Sequence, residues 1–277
     1  MLVVGTLSVA MARPEQRQAG GPAALLRRHD PDRYLAALFA PAPRREALML
    51  LGAFNHELAR AREVAREPGL ALIRLHWWRE VVEGAARRHE LAAPLAAALA
   101  AGTLPRADLA ALIDARETEA AAAIETLADW QDYLRGTAGA LAAIAASLLG
   151  ATDSERARIA TLGTAYGVAG QVRSIAVLAR QGRCLLPLDL LTAQGLSAAE
   201  VVARPAAPAL RPVLATLAAW GRALLAEGRG PLPRAVIAAA LPAVLARRDL
   251  RQLAPSAGPR GFADRAAVLA AYLAGRV

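Results

Sequence analysis

Anchoring Mg²⁺ against a diphosphate takes hard oxygen donors, and a helix usually supplies them as carboxylates one turn apart. The stretch Gly167 to Pro187, GVAGQVRSIAVLARQGRCLLP, has the flanks of such a motif and none of its acids. No Asp or Glu occurs anywhere from Arg156 to Leu188. Where donors would be needed, the chain reads Arg173, Ser174, Ile175, Ala176, Val177 and Leu178. Guanidinium groups hold phosphates directly through charge-assisted hydrogen bonds, so this composition suits binding an anion better than expelling one as a leaving group.

A second stretch, LLGAFNHELARAREVAREP, places His56, Ala59, Arg60, Glu63 and Glu67 on one helical face by spacings of three and four. Two readings of that face stand. One is a solvated charged surface on which Arg60 and Glu63 pair for ~0.2–0.5 kcal/mol. The other is a pocket wall in which Arg60 and Arg173 bring the positive charge a metal would otherwise supply.

These two segments resemble the paired signatures of the squalene/phytoene synthase family. Gly167, Ala169, Gln171, Gly182, Arg183, Leu186 and Pro187 match the flanks of its second motif, with Leu178 roughly where the first Asp would stand. Phe54 matches the aromatic residue of its first motif, whose Asp positions fall on Ala59, Arg60 and Glu63. Three further runs, DPDRYLAALFAPAPRREAL, IRLHWWREVVEG and DYLRGTAGALAAIAASLLG, extend the resemblance from about Asp30 to about Leu250.

The resemblance implies an all-α, single-domain bundle of the trans-isoprenyl diphosphate synthase type around a central cavity. Within the family, AFNHELA, IRLHWWRE and the acid-free second motif are most similar to a branch containing a mitochondrial complex I assembly factor and its bacterial relatives. That branch implies a non-catalytic role in assembling respiratory NADH dehydrogenase, with complex I subunits or assembly proteins as partners. The enzyme alternative is Mg²⁺-dependent head-to-head condensation of prenyl diphosphates; a third reading is metal-independent binding of a prenyl or phospholipid diphosphate. Tyr34, Phe54, Arg60, Glu63, Tyr166, Gln171, Arg173 and Arg183 are the expected pocket residues, and no catalytic or metal-ligating residue is expected.

Other chemistry finds little footing. His29, His56, His76 and His89 lack any clustered ligand spacing, so no zinc site is expected. Glu80 and Glu83 lie beside Arg79 and Arg87 at the spacing of surface ion pairs. Cys184 is the single cysteine and reads as a structural thiol. Trp77 and Trp78 are adjacent, so on a helix they point about 100° apart and at most one sits fully in the core; core packing is the default reading of the pair, and that helix is the candidate partner surface.

The net charge of +9 raises nucleic acid or an anionic membrane as a partner. All 33 basic residues are Arg, scattered along the chain without the interleaved aromatics of a nucleic-acid patch, so nucleic acid is not expected. Nowhere do about 18 strongly apolar residues run unbroken, which leaves a cytoplasmic protein with at most a peripheral contact on the inner face of the membrane. MLVVGTLSVAMA ends like a signal peptide but lacks its basic n-region, so residues 1–21 read as an N-terminal extension, or translation starts at Met11, ahead of a domain over 22–277.

Alanine and leucine dominate, and apolar residues recur at three and four positions, which favours helix throughout. The punctuation predicts helices after Asp30–Pro31, over 44–66, through IRLHWWREVVEG to about His89, and from Leu104–Pro105. Asp129 and Thr152 are the expected caps of two more, and Ser197 with Glu200 forms a capping box. Segments near 210–227, 233–247 and 262–274 close the chain, ten or so helices in all.

Overall fold

A computed structural model describes residues 21–63, 67–121, 123–253 and 258–277. Apart from Gly21, the expected N-terminal extension lies outside them. Helices run in the order α1 (Pro22–His29), α2 (Pro31–Leu38), α3 (Ala42–Glu63), α4 (Pro68–Glu83), α5 (Ala92–Ala100) and α6 (Arg106–Arg116), the last tightening into a 3₁₀ turn over Glu117–Ala120. Then come α7 (Leu127–Leu134), a π turn over Arg135–Gly139, α8 (Ala140–Leu148) and the long α9 (Asp153–Arg180). The chain continues through α10 (Leu188–Thr192), α11 (Ala198–Ala203), α12 (Arg211–Glu227), a 3₁₀ turn over Ile237–Ala239, α13 (Pro242–Gln252) and α14 (Phe262–Ala274). No strand occurs among the described residues, as the all-α expectation requires.

Most helix ends fall where the sequence marks them. Asp30 accepts from the Arg33 backbone N–H at the start of α2, and Thr152 and Ser197 make reciprocal boxes with Glu155 and Glu200. Three boundaries differ. The box before α7 is built on Thr126, with Asp129 as its third helical residue rather than its cap. Helix α4 stops at Glu83, short of His89, because Gly84 takes a left-handed conformation at φ 115°. The helix expected over 233–247 begins only at Pro242, whose missing N–H cannot continue a preceding turn. Residues 64–66 of the expected 44–66 helix lie outside the described set.

Helix α9 is the axis of the bundle, packed on α8, α12, α13 and the π turn. Its buried stripe of Ile159, Leu162, Ala165, Val168, Ala169, Val172 and Ile175 meets Trp130, Leu217, Leu245 and their neighbours in one core. Its approach to α8 depends on glycine. A Cβ on Gly163 would stand 2.3 Å from the Ala142 Cβ and 2.8 Å from the Ala138 carbonyl oxygen.

A cavity of about 50 Å³ lies where α2, α3, α8 and α9 meet, walled by Ala36, Leu51, Gly52, Leu141, Ala142 and Tyr166 among others. It is small beside the ~300–1,000 Å³ of ordinary ligand pockets, so side chains fill most of the expected central space.

Gly163→Ala is expected to lower stability, because overpacking costs roughly 1–3 kcal/mol against the ~1 kcal/mol that alanine gains in a helix. Gly170→Ala, whose Cβ would meet nothing within 4 Å, is expected to stabilise the same helix. Urea unfolding of the two variants reads the opposite signs.

Candidate functional site

Two polar clusters sit along α9. The first gathers at a carboxylate the sequence did not single out. Glu119, on the 3₁₀ turn after α6, is 6% exposed. It pairs with Arg116, accepts the Tyr133 hydroxyl at 2.7 Å, and has Arg183 at 3.9 Å. Arg116 also donates to Asn55 Oδ1 at 2.8 Å, and Gln171 Nε2 donates to Tyr133 Oη at 3.4 Å. Residues from α3, the α6 turn, α7, α9 and the loop after α9 thus meet at one point.

The electrostatics follow from burial. Burial pulls the Arg116 pKa down, but Glu119 and Tyr133 outweigh it and hold the group above its usual value. Burial, reinforced by Glu119, pushes the Tyr133 phenol far up, so it stays a donor. Arg183 goes the other way, lowered first by burial and then by neighbouring Arg62, with Glu119 opposing. This end of the bundle therefore carries more positive charge than one carboxylate neutralises.

The second cluster lies nearer the cavity. Arg260 grips Asp32 at 2.8 Å and Asp249 at 2.8 Å, Arg173 reaches Asp249 at 3.0 Å, and the Tyr166 hydroxyl donates to Asp32 at 3.1 Å. Arg33, paired with Asp30 at 2.5 Å, lies over the Tyr166 ring at 4.9 Å. Both acids are engaged, and Arg260 is held well above its usual pKa: burial alone would lower it, but the bonds to Asp249 and Asp32 prevail.

The expected pocket residues divide accordingly. Gln171 and Arg183 join the Glu119 cluster, and Tyr166 and Arg173 join the Asp32–Asp249 cluster. Arg60 and Arg173, expected to act together, do not: Arg60 pairs at 2.7 Å with Glu57, which is 2% exposed. Glu63 is exposed at the end of α3, though close enough to raise Arg183 slightly. Phe54 is fully buried edge-on to Trp78, and Tyr34 is half-buried against the core. Trp78, proposed as partner surface, is core at 3% exposure, because α4 turns that face onto α3; Trp77 is half-buried beside it. Cys184 is buried, and burial raises its thiol pKa.

Sequence reasoning missed Glu119, Arg116, Asn55, Glu57, Asp249 and Arg260. Asp32, Arg33, Asn55 and Tyr133 lie inside quoted family-like runs, which was an available signal. Glu119, in the run ARETEAA, looks like any surface acid.

A diphosphate site of the family kind implies Mg²⁺, and the residues here do not fit it. Leu178, at the expected Asp position, packs on the core; Arg60 is a cation; and Glu119 is already bonded to its donors. Among the described residues, no three of His, Cys, Asp and Glu are placed to share a metal ion. The arrangement can hold an anion or cross-link helices.

Fold and site together define an all-α protein with the isoprenoid synthase fold, in which guanidinium–carboxylate clusters line the polar end. The squalene/phytoene synthase family model matches residues 26–270, and the chain belongs to that family. It is similar to "NADH dehydrogenase (ubiquinone) complex I, assembly factor 6" of Mus musculus, 27% identical over 80% of this chain and 68% of that one. The Homo sapiens protein of the same name is 26% identical, over 74% of this chain and 63% of that one. The chain thus spans about two-thirds of the length of these curated relatives. Among solved structures, squalene synthase HpnC from Alicyclobacillus acidocaldarius superposes with TM-score 0.62 at 22% identity, covering 92% of each chain. A dehydrosqualene synthase in complex with ligand gives 0.74 at 16%, covering 91% of this chain and 94% of that one. These two likenesses establish the fold.

Glu119→Ala is expected to cost roughly 3–5 kcal/mol, since it strands buried Arg116 and Arg183; urea denaturation measures this. A second expectation concerns acid. His56, stacked on His29 at 4.4 Å, has its pKa lowered to about 4, first by burial and then by His29, with Glu57 opposing. From pH 6.5 down to about 4 the unfolded chain takes up a proton that the folded one refuses, so stability falls across that window. His56→Gln is expected to flatten that fall in unfolding curves taken at successive pH values.

Proposed function

We propose that this chain is a binding rather than a catalytic member of its family, acting in the assembly of respiratory complex I. The observation that carries the reading is the Glu119 cluster. A buried carboxylate at the polar end of the bundle is satisfied by Arg116, Tyr133 and Arg183, where a metal-dependent synthase needs free oxygen donors. Similarity to relatives named complex I assembly factor 6 supports the assignment of process. In this reading the clusters act as cross-links that hold α3, α6, α7 and α9 in one rigid frame. The partner is a complex I subunit or assembly protein, met at the cytoplasmic face of the membrane, and no cofactor takes part.

One observation favours a second reading, retention of an anionic ligand without turnover. Arg62 and Arg183 line an open pocket of about 440 Å³; burial lowers Arg183 first, Glu119 opposes, Arg62 adds to the lowering, and a diphosphate there would meet both guanidinium groups.

Deleting the gene is expected to lower assembled NADH dehydrogenase, seen on native gels, while leaving carotenoid and hopanoid content unchanged. Purified protein is expected to release no diphosphate from farnesyl or geranylgeranyl diphosphate with Mg²⁺. Steady release, or loss of terpenoids with intact complex I, reverses the assignment. Calorimetric titration with inorganic pyrophosphate, wild type against Arg183→Gln, decides the second reading.

A further inference from the structure

Helix α14 has two unlike faces. Inward, Val268 is 1% exposed, Tyr272 packs on Phe39 at 4.8 Å, and Asp264 pairs with Arg248 at 2.7 Å. Outward, Phe262, Ala266, Leu269, Ala270 and Leu273 follow one another at helical spacing, so the outer arc is apolar along the whole helix. Phe262 is 86% exposed, Leu273 60% and Leu269 46%. Leu38, 41% exposed, lines the same shallow pocket as Tyr272 and widens the patch.

The border of this patch carries one sign of charge. Arg265 lies on the helix and Arg276 just beyond it, while Arg234 sits over the Tyr272 ring at 5.8 Å and Arg45 lines the pocket beside it. All four arginines are exposed, in a chain of net charge +9. An aromatic and leucine face rimmed by arginine matches an acyl-chain boundary beneath anionic headgroups. No described helix is long and apolar enough to cross a membrane, so the contact would be interfacial.

We propose that α14 docks the protein onto an anionic lipid bilayer, lying in the interface plane with Phe262, Leu269 and Leu273 among the upper acyl segments. Arg45, Arg234, Arg265 and Arg276 then face the headgroup phosphates. The proposal does not rest on the complex I reading: it is tested on the isolated protein and can fail while that reading stands.

Flotation of the full chain with vesicles of phosphatidylcholine, alone or mixed with phosphatidylglycerol, is the test. Binding is expected with the mixed vesicles and is expected to weaken as salt rises. The triple variant Phe262→Ser, Leu269→Ser, Leu273→Ser is expected to bind about tenfold less with unchanged circular dichroism, since all three side chains point outward. Arg234→Glu with Arg276→Glu is expected to weaken binding with the apolar face intact, and Leu70→Ser with Ile73→Ser on α4 to leave it unchanged. No flotation with the mixed vesicles, or equal flotation of the α14 triple variant, overturns the proposal. A dimer seen by light scattering that this variant dissolves, without vesicle binding, also overturns it and assigns the face to a second copy.

Discussion

Glu119 is a carboxylate removed from water among two guanidinium groups and a phenol, and a charge so placed must stay paired. That requirement ties together six parts of the chain. The turn after α6 supplies the acid, α6 and the loop after α9 supply arginines, α7 the tyrosine, and α3 and α9 the amides that satisfy Arg116 and Tyr133. The polar end of the bundle is organised around a charge it already contains.

The Asp32–Asp249 cluster applies the same logic nearer the cavity. Arg260 bridges α2 to α13, Arg173 ties α9 to the same Asp249, and Tyr166 closes the network onto Asp32. Both clusters use the planar, multidentate donor set of arginine: Arg260 satisfies two acids at once, and Arg116 an acid and an amide, where a point charge would not. Beside the Asp32–Asp249 cluster the alanine-walled cavity measures about 50 Å³.

The surface is uneven. Most helices turn one stripe inward and leave arginines and acids outside, but α4 leaves Leu70, Leu72 and Ile73 exposed, and α14 leaves Phe262, Leu269 and Leu273 exposed. Single exposed apolar residues are ordinary, but an unbroken outer arc rimmed by arginine is a directional feature. It lies on α14, whereas the Glu119 cluster is built from α3, α6, α7 and α9, so binding through one need not disturb the other.

Much of the architecture was legible in the residues alone. Helix class, most caps and the missing acids of Gly167 to Pro187 are written over three or four neighbouring positions, the range over which helical periodicity and capping act. Gln171 and Arg183, expected in a pocket, fall in the Glu119 cluster, and Tyr166 and Arg173 in the Asp32–Asp249 cluster, while the rule that at most one of Trp77 and Trp78 is fully buried left open which one. What only the tertiary structure decided is who pairs with whom. Arg116 meets Asn55 across 61 residues and Arg173 meets Asp249 across 76, distances at which local pattern carries no information. Glu119, Asp249 and Glu57 read as surface acids until packing removes their water, because burial, the force that turns an ordinary carboxylate into an organising charge, is a property of the assembled bundle.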